Sequence, residues 1–135
     1  MNATEKTKPL AGKIILLVED DPSLQDIYRT ALTVIGGAEV VMAENGEEGL
    51  TQFESNKVNA VIFDIMMPKM NGYEFIRNLK DNPAVKGIPF IALTSLDAHP
   101  EYLKKSTGVD VAEYLIKTNI SPEELVERVA KHVKA

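Results

Sequence analysis

Five polar residues each follow a short apolar run of the sequence, and together they could form one ionic site. Glu19, Asp20 and Asp64 supply carboxylates, Thr94 supplies a hydroxyl and Lys117 supplies an ammonium group. Carboxylates packed closely raise one another's pKa values unless a cation neutralises them. Hard oxygen ligands with room for water suit Mg²⁺ or a similar ion such as Mn²⁺. A cation, an ammonium and a hydroxyl around Asp64 are what a phosphoryl group on that carboxylate would need.

Each of these residues also has an ordinary structural explanation. An Asp at the end of a strand is usually solvated or caps a helix, a Thr often starts a turn, and a Lys is most often a solvated charge. At the first strand the cap is better assigned to Asp21, because Pro22 follows it and suits the first helical position. We favour a site because suitable residue types at four separate strand ends are an improbable coincidence.

The elements that must position these residues are five strands, each followed by a helix. Short apolar runs predict the strands, at Lys13–Val18, Ala38–Ala43, Ala60–Phe63, Pro89–Leu93 and Ala112–Ile116. Five such units predict an α/β fold with a doubly wound, five-stranded parallel sheet, (βα)5 and flavodoxin-like, of strand order 2-1-3-4-5. Strands one and three are neighbours in that order, so the three carboxylates should meet at one edge.

The helices are predicted from apolar periodicity and from capping residues. The first should bury one stripe and end at Gly36; the stripe contains Leu24, Ile27, Tyr28, Ala31, Leu32 and Ile35. Asn45 with Glu48, and Ser121 with Glu124, have the spacing of capping boxes. A weaker helix is predicted for Asp97–Ser106.

Length and composition indicate one soluble domain. The chain has 135 residues, no Cys and a net charge of −5, with no long basic run. We therefore expect no nucleic-acid partner, no disulfides and a cytoplasmic location. No apolar run approaches the roughly 20 residues of a membrane span, so no membrane insertion is expected. Residues 1–12 are predicted to be a flexible N-terminal tail, and residues 13–135 the domain.

Four motifs resemble those of the receiver domain of response regulators, the CheY-like domain of two-component signalling. The resemblance extends from about Lys13 to the C-terminus. It is carried by Leu16–Asp21 (LLVEDD), Asp64–Pro68 (DIMMP) with Asn71-Gly72 following, Thr94-Ser95 and Tyr114–Lys117 (YLIK). In this alignment the acidic pair of the family falls on Glu19 and Asp20.

The resemblance implies a role for each site residue. Asp64 would accept a phosphoryl group from a phosphohistidine on a sensor histidine kinase or a histidine phosphotransfer protein. Asp20, Asp64 and the backbone carbonyl of Met66 would hold Mg²⁺, with Glu19 acting through water. Lys117 would pair with Asp64 and then with the phosphoryl oxygens.

The resemblance also implies a conformational switch. Thr94 would be drawn towards the phosphoryl group, and Tyr114 would turn inward into the space that Thr94 leaves. The fourth predicted helix, the fifth strand and the last helix would then present an altered face to a downstream protein. The chain ends with the last predicted helix, so we expect a single-domain regulator, a monomer or a weak dimer, that signals by protein contact.

Two positions depart from the family pattern. Thr118 stands where the family usually has a proline after the Lys, and a cis bond before a non-proline costs about 2.5–4 kcal/mol, so a trans bond is predicted. Met66 and Leu96, two residues after Asp64 and Thr94, are both apolar. In the family these positions influence water access, and this pair predicts a long-lived phosphorylated state.

Three other functions fit parts of the pattern. A flavodoxin would need a Ser/Thr/Gly-rich phosphate loop where this chain has the acidic segment Glu19–Asp21. An aspartyl-nucleophile phosphatase would need a second Asp where this chain has Met66. A receiver-fold interaction module that works without phosphorylation is the main alternative.

Overall fold

The computed structural model describes residues 8–95, 104–105 and 107–133. Five parallel strands form one sheet of order β2-β1-β3-β4-β5, which confirms the predicted topology. The strands are β1 (Ile14–Val18), β2 (Glu39–Ala43), β3 (Ala60–Phe63), β4 (Phe90–Thr94) and β5 (Glu113–Ile116). The helices are α1 (Pro22–Thr30), α2 (Gly46–Ser55), α3 (Gly72–Leu79) and α4 (Pro122–His132).

Helices cover both faces of the sheet, so the alternate residues of each central strand, which point to opposite sides, are buried on both faces. On one face Leu17 and Ile62 pack with residues of α1 and α4. On the other face Leu16 and Phe63 pack with residues of α2 and α3. All four residues of β3 are buried, as a central strand requires.

Helices α1 and α4 begin with the predicted caps. The Asp21 carboxylate accepts hydrogen bonds from two backbone N–H groups of the first turn of α1, and Pro22 takes the first helical position. Ser121 and Glu124 form the complete capping box of α4. Both helices pack on the same face of the sheet, so these two caps determine where each helix begins to cover that face.

The capping box predicted at the start of α2 is only half formed. The Asn45 side chain accepts from the backbone N–H of Glu48, as expected. The Glu48 carboxylate, however, accepts from the N–H of Glu44 at 2.9 Å, one residue before the predicted partner. Asn45 has φ −160°, whereas Asn71 and Ser121, which form complete boxes, have φ −78° and −84°.

The predicted apolar stripe of α1 is wrong at two positions. Ile27 is 47% exposed and Ile35 is 40% exposed, whereas Tyr28 and Leu32 are buried. Ile27 lies at the solvent edge of the stripe. Helix α1 continues into a π-helical segment, Ala31–Ile35, in which the hydrogen bonds run from i to i+5. This change alters the angular position of each residue around the helix axis and turns Ile35 out of the buried stripe.

The domain begins earlier than the predicted boundary at Lys13. Leu10 is fully buried and packs into the core on the α1–α4 face. Its backbone N–H donates to the Gly36 carbonyl at 2.7 Å. Leu10 therefore belongs to the packed domain and not to a flexible tail, although its neighbours Pro9 and Ala11 are exposed; residues 1–7 lie outside the described residues.

The helix predicted for Asp97–Ser106 falls almost wholly outside the described residues, as does Leu96. Among the helices that the structure describes, none has the length and apolar character needed to cross a bilayer.

Replacing Leu10 with Ala should lower the free energy of unfolding by about 2–5 kcal/mol, the usual cost of truncating a fully buried leucine. Urea denaturation measures this change. Val34→Ala is the matched control, because Val34 is 62% exposed, and its effect should stay within about 0.5 kcal/mol. Equal effects of the two substitutions would show that Leu10 is not part of the packed domain.

Candidate functional site

The carboxyl ends of β1 and β3 bring three acidic residues together. The two strands pair in register, Val18 beside Phe63, so the residues that follow them are also neighbours. One carboxylate oxygen from each of Glu19, Asp20 and Asp64 lies within 4.8 Å of the others. The meeting of these three residues was predicted from the strand ends alone.

Lys117 reaches the acidic cluster from the end of the edge strand β5. Its Nζ lies 2.7 Å from Oε1 of Glu19 and 2.8 Å from Oδ2 of Asp64. The three side chains are only 11%, 2% and 6% exposed for Lys117, Glu19 and Asp64. One ammonium thus binds two buried carboxylates at once.

Burial and pairing shift the pKa values of this group. Burial raises the pKa of Glu19, although the hydrogen bonds from Lys117 and from the Asp21 N–H oppose the shift. Burial alone would lower the pKa of Lys117, but its hydrogen bonds to Asp64 and Glu19 outweigh that effect and raise it. Lys117 is therefore charged at neutral pH.

Asp64 is fixed by contacts on either side. Its Oδ1 accepts from the backbone N–H of Met66 at 3.3 Å, while Oδ2 binds Lys117. Helix α3 begins directly against it: the N–H of Gly72 donates to the Ile65 carbonyl at 2.8 Å, and a Cβ on Gly72 would lie 2.5 Å from the Asp64 carbonyl oxygen. Only glycine fits there. The sequence pattern identified the Asn-Gly pair but not this contact.

The remaining predicted site residues occupy the same edge or the strands leading to it. Thr94 is the last residue of β4, fully buried, and pairs in register with Ile116, the residue before Lys117. Tyr114 lies on β5 with its hydroxyl oxygen buried, and packs against the core cluster on the α2–α3 face. The Lys117–Thr118 peptide bond is trans, as predicted.

The ion pair of Lys117 with Glu19 was not predicted, and Glu19 makes two further contacts that the sequence did not indicate. The second carboxylate oxygen of Glu19, Oε2, accepts from the backbone N–H of Asp21 at 3.1 Å, so both oxygens of Glu19 are engaged. The side-chain amide of Gln25 donates to the backbone carbonyl of Glu19. For the contact between Gln25 and Glu19, the only signal in the sequence is that a polar residue, Gln25, lies in the first turns of α1.

The donor set fits a divalent cation. Three carboxylates offer hard oxygen atoms within a few ångströms of one another, which is the ligand type that Mg²⁺ and Mn²⁺ prefer. The single ammonium of Lys117 does not balance the three negative charges. A further cation would remove the remaining repulsion.

Lys117→Met should lower the free energy of unfolding by about 3 kcal/mol at neutral pH, because it leaves two buried carboxylates without their ammonium partner. Burial already raises the pKa of Glu19, and loss of the ammonium raises it further, so protonation of Glu19 should shrink the difference from the wild type as the pH falls towards that raised pKa. Urea denaturation at several pH values measures it. A difference that does not change with pH would contradict the assignment of the loss to the carboxylates.

Comparisons with known proteins agree with this geometry. The family model described as the response regulator receiver domain matches residues 15–130. The chain is 38% identical over 117 residues to a probable transcriptional regulator, ycf27, of Pyropia yezoensis. That match covers 85% of this chain and 45% of the regulator, so the chain spans about half the length of this relative. An uncharacterized 14.6 kDa protein of Leptolyngbya boryana is 33% identical over 93% of this chain and 94% of its own length.

Solved structures give the same result. The chemotaxis response regulator CheY4 of Vibrio cholerae is similar with a TM-score of 0.78 and 27% identity, covering 90% of this chain and 98% of that one. The response regulator TrrA of Thermotoga maritima, solved in complex with Mg²⁺-BeF, has a TM-score of 0.76 and 31% identity, covering 90% and 99%.

Three findings lead to one conclusion. The family model matches most of the chain, the strand order is the predicted one, and an acidic cluster lies at the expected edge of the sheet. The chain belongs to the response regulator receiver domain family, a phosphoacceptor module of two-component signalling.

Proposed function

We propose that this receiver accepts a phosphoryl group on Asp64 from a phosphohistidine of a sensor histidine kinase or a histidine phosphotransfer protein, and that the reaction depends on Mg²⁺. The observation that carries the proposal is the position of Asp64. It is buried at the sheet edge, bound by Lys117 and within 4.8 Å of two further carboxylates.

In the transfer, a carboxylate oxygen of Asp64 forms a bond to phosphorus as the bond from phosphorus to the histidine nitrogen breaks. The electron pair of the broken bond stays on the imidazole. Lys117 is placed to bind the phosphoryl oxygens, because its Nζ already lies 2.8 Å from Asp64. The protein contributes positioning and charge, which is most of what phosphoryl transfer requires.

Asp20, Asp64 and the backbone carbonyl of Met66 would hold the metal ion, and Glu19 would act through water. When bound, Mg²⁺ would supply positive charge that offsets the negative charge of the phosphoryl group. In the present structure Glu19 binds Lys117 and the Asp21 N–H. We therefore propose that Glu19 also holds the ammonium of Lys117 in the unphosphorylated protein.

The signal would leave through the strands next to the site. Thr94 ends β4 and is fully buried, and Tyr114 on β5 is in register with Ala92 of β4. A movement of Thr94 towards the phosphoryl group would therefore change the packing of β4 against β5. We propose that the face formed by β5, α4 and the helix predicted before β5 binds the downstream protein.

The same geometry argues against phosphatase turnover. The residue two positions after Asp64 is Met66, whose side chain is 58% exposed and has no acidic group. We infer that the receiver catalyses only its own phosphorylation and the slow hydrolysis of its own acyl phosphate.

Incubation with a small acyl-phosphate donor and Mg²⁺, followed by intact mass measurement, tests the proposal. The wild type should gain one phosphate, and Asp64→Asn or addition of EDTA should abolish the gain. Asp26→Asn is the control, because Asp26 is exposed and its carboxylate pairs with Arg29 on the surface of α1; it should be phosphorylated like the wild type. An unmodified wild type would favour the interaction module that works without phosphorylation.

Met66→Asn should shorten the lifetime of the phosphorylated state severalfold, since a polar side chain beside Asp64 can hold the water that attacks the acyl phosphate. The mass of samples taken after removal of the donor gives the lifetime. A lifetime equal to that of the wild type would show that the side chain of Met66 does not limit hydrolysis.

A further inference from the structure

Gln25 ties helix α1 to the loop that carries the first two acidic residues. Its side-chain Nε2 donates a hydrogen bond of 2.5 Å to the backbone carbonyl of Glu19, six residues earlier. The backbone N–H of Gln25 donates separately to the Asp21 carbonyl, as part of the helix. The side-chain bond is therefore an additional link, which the helix backbone does not provide.

The carbonyl that Gln25 binds belongs to the peptide group between Glu19 and Asp20. A peptide group is planar, so fixing its oxygen also fixes the direction in which the chain enters Asp20. Glu19 is held on its other side, because its N–H donates to the Ala43 carbonyl and its carboxylate binds Lys117. The Gln25 bond also fixes the next peptide group, which leads to Asp20, the most exposed carboxylate of the cluster.

We infer that Gln25 is a positioning residue for the metal site: by holding the Glu19 carbonyl it orients Asp20, a proposed direct ligand of Mg²⁺. The inference rests on the proposed function in one respect, that Asp20 binds a metal. Gln25 donates to the backbone and supplies no carboxylate, so it acts through Asp20. Groups that orient metal ligands in this way contribute to metal affinity without binding the ion.

A purely structural role is the alternative, and Gln52 allows the two to be separated. The side-chain Nε2 of Gln52, on α2, donates to the backbone carbonyl of Met42 at 3.2 Å. Its Oε1 also accepts from Asn56 at 3.2 Å. Gln52 thus makes the same kind of bond as Gln25, from a helix side chain to a backbone carbonyl, but its acceptor lies in β2, which carries none of the proposed metal ligands.

The test is a titration of the full chain with Mn²⁺ alone, with free Mn²⁺ measured by electron paramagnetic resonance. Gln25→Leu should raise the dissociation constant about tenfold, at the lower end of losses caused by removing groups that orient metal ligands. Gln52→Leu should bind Mn²⁺ like the wild type. Urea unfolding of both variants shows whether their stabilities fall by similar amounts. Gln25→Met, which also lacks the donor, replaces Gln25→Leu if that variant does not fold.

Phosphorylation by an acyl phosphate gives a second readout. Gln25→Leu should need more Mg²⁺ to reach half of its maximal rate, while the rate at saturating Mg²⁺ stays close to that of the wild type. Equal Mn²⁺ affinities of Gln25→Leu and Gln52→Leu would overturn the inference and leave the metal site intact. A wild type that binds no Mn²⁺ would overturn both the inference and the Mg²⁺ dependence of the proposed function.

Discussion

The contact of one ammonium with two buried carboxylates is the interaction on which this edge of the sheet depends. Lys117 follows the edge strand β5, Asp64 follows β3 and Glu19 follows β1, so the ion pairs cross most of the sheet. Buried charges are costly unless they are paired. The fold must therefore deliver all three strand ends to one place, and the parallel sheet does so because every strand ends at the same edge.

The backbone around the cluster reduces its freedom further. Gly72 lets α3 start against the Asp64 backbone, and a larger residue there would collide with the Asp64 carbonyl. The loop between β3 and α3 is also bound to α2, through the hydrogen bond from the Gly46 N–H to the Met70 carbonyl at 3.0 Å. Gln25 of α1 holds the loop after β1, and the contacts of Gly46 and Gly72 hold the loop after β3. Both acidic loops are therefore fixed by neighbouring helices. A carboxylate fixed in this way is preorganised for transfer.

Sequence reasoning succeeded where local chemistry decides the structure. Short branched apolar runs predicted all five strands, the crossover rule predicted a doubly wound parallel sheet, and the flavodoxin-like order chosen for five such units is the one observed. The acidic cluster followed in turn, because residues just after parallel strands share an edge. The receiver family was also predicted, since its motifs are the strand ends themselves.

The features that sequence reasoning missed depend on how the backbone turns and packs, which residue types and their periodicity do not specify. Leu10 is one apolar residue in a polar segment, and its burial depends on Gly36, which ends the helical segment Ala31–Ile35 that follows α1. Ile35 is exposed because the helix widens locally, and the apolar periodicity of the sequence does not predict this widening. Predicting the bond between Gln25 and the Glu19 carbonyl would require the path of the loop between β1 and α1. None of these features has a signature in the residue types or in their spacing.

A structure of the protein with Mg²⁺ and fluoroberyllate, a mimic of the phosphoryl group, tests whether Asp64 is the phosphoacceptor. We expect fluoroberyllate on the carboxylate of Asp64, with Lys117 Nζ bound to it, and a metal ion held by Asp20 and Asp64. We also expect that Lys117 no longer contacts Glu19 at 2.7 Å. Fluoroberyllate bound elsewhere, or an Asp64 that stays unmodified with both ion pairs of Lys117 intact, would contradict this role of Asp64.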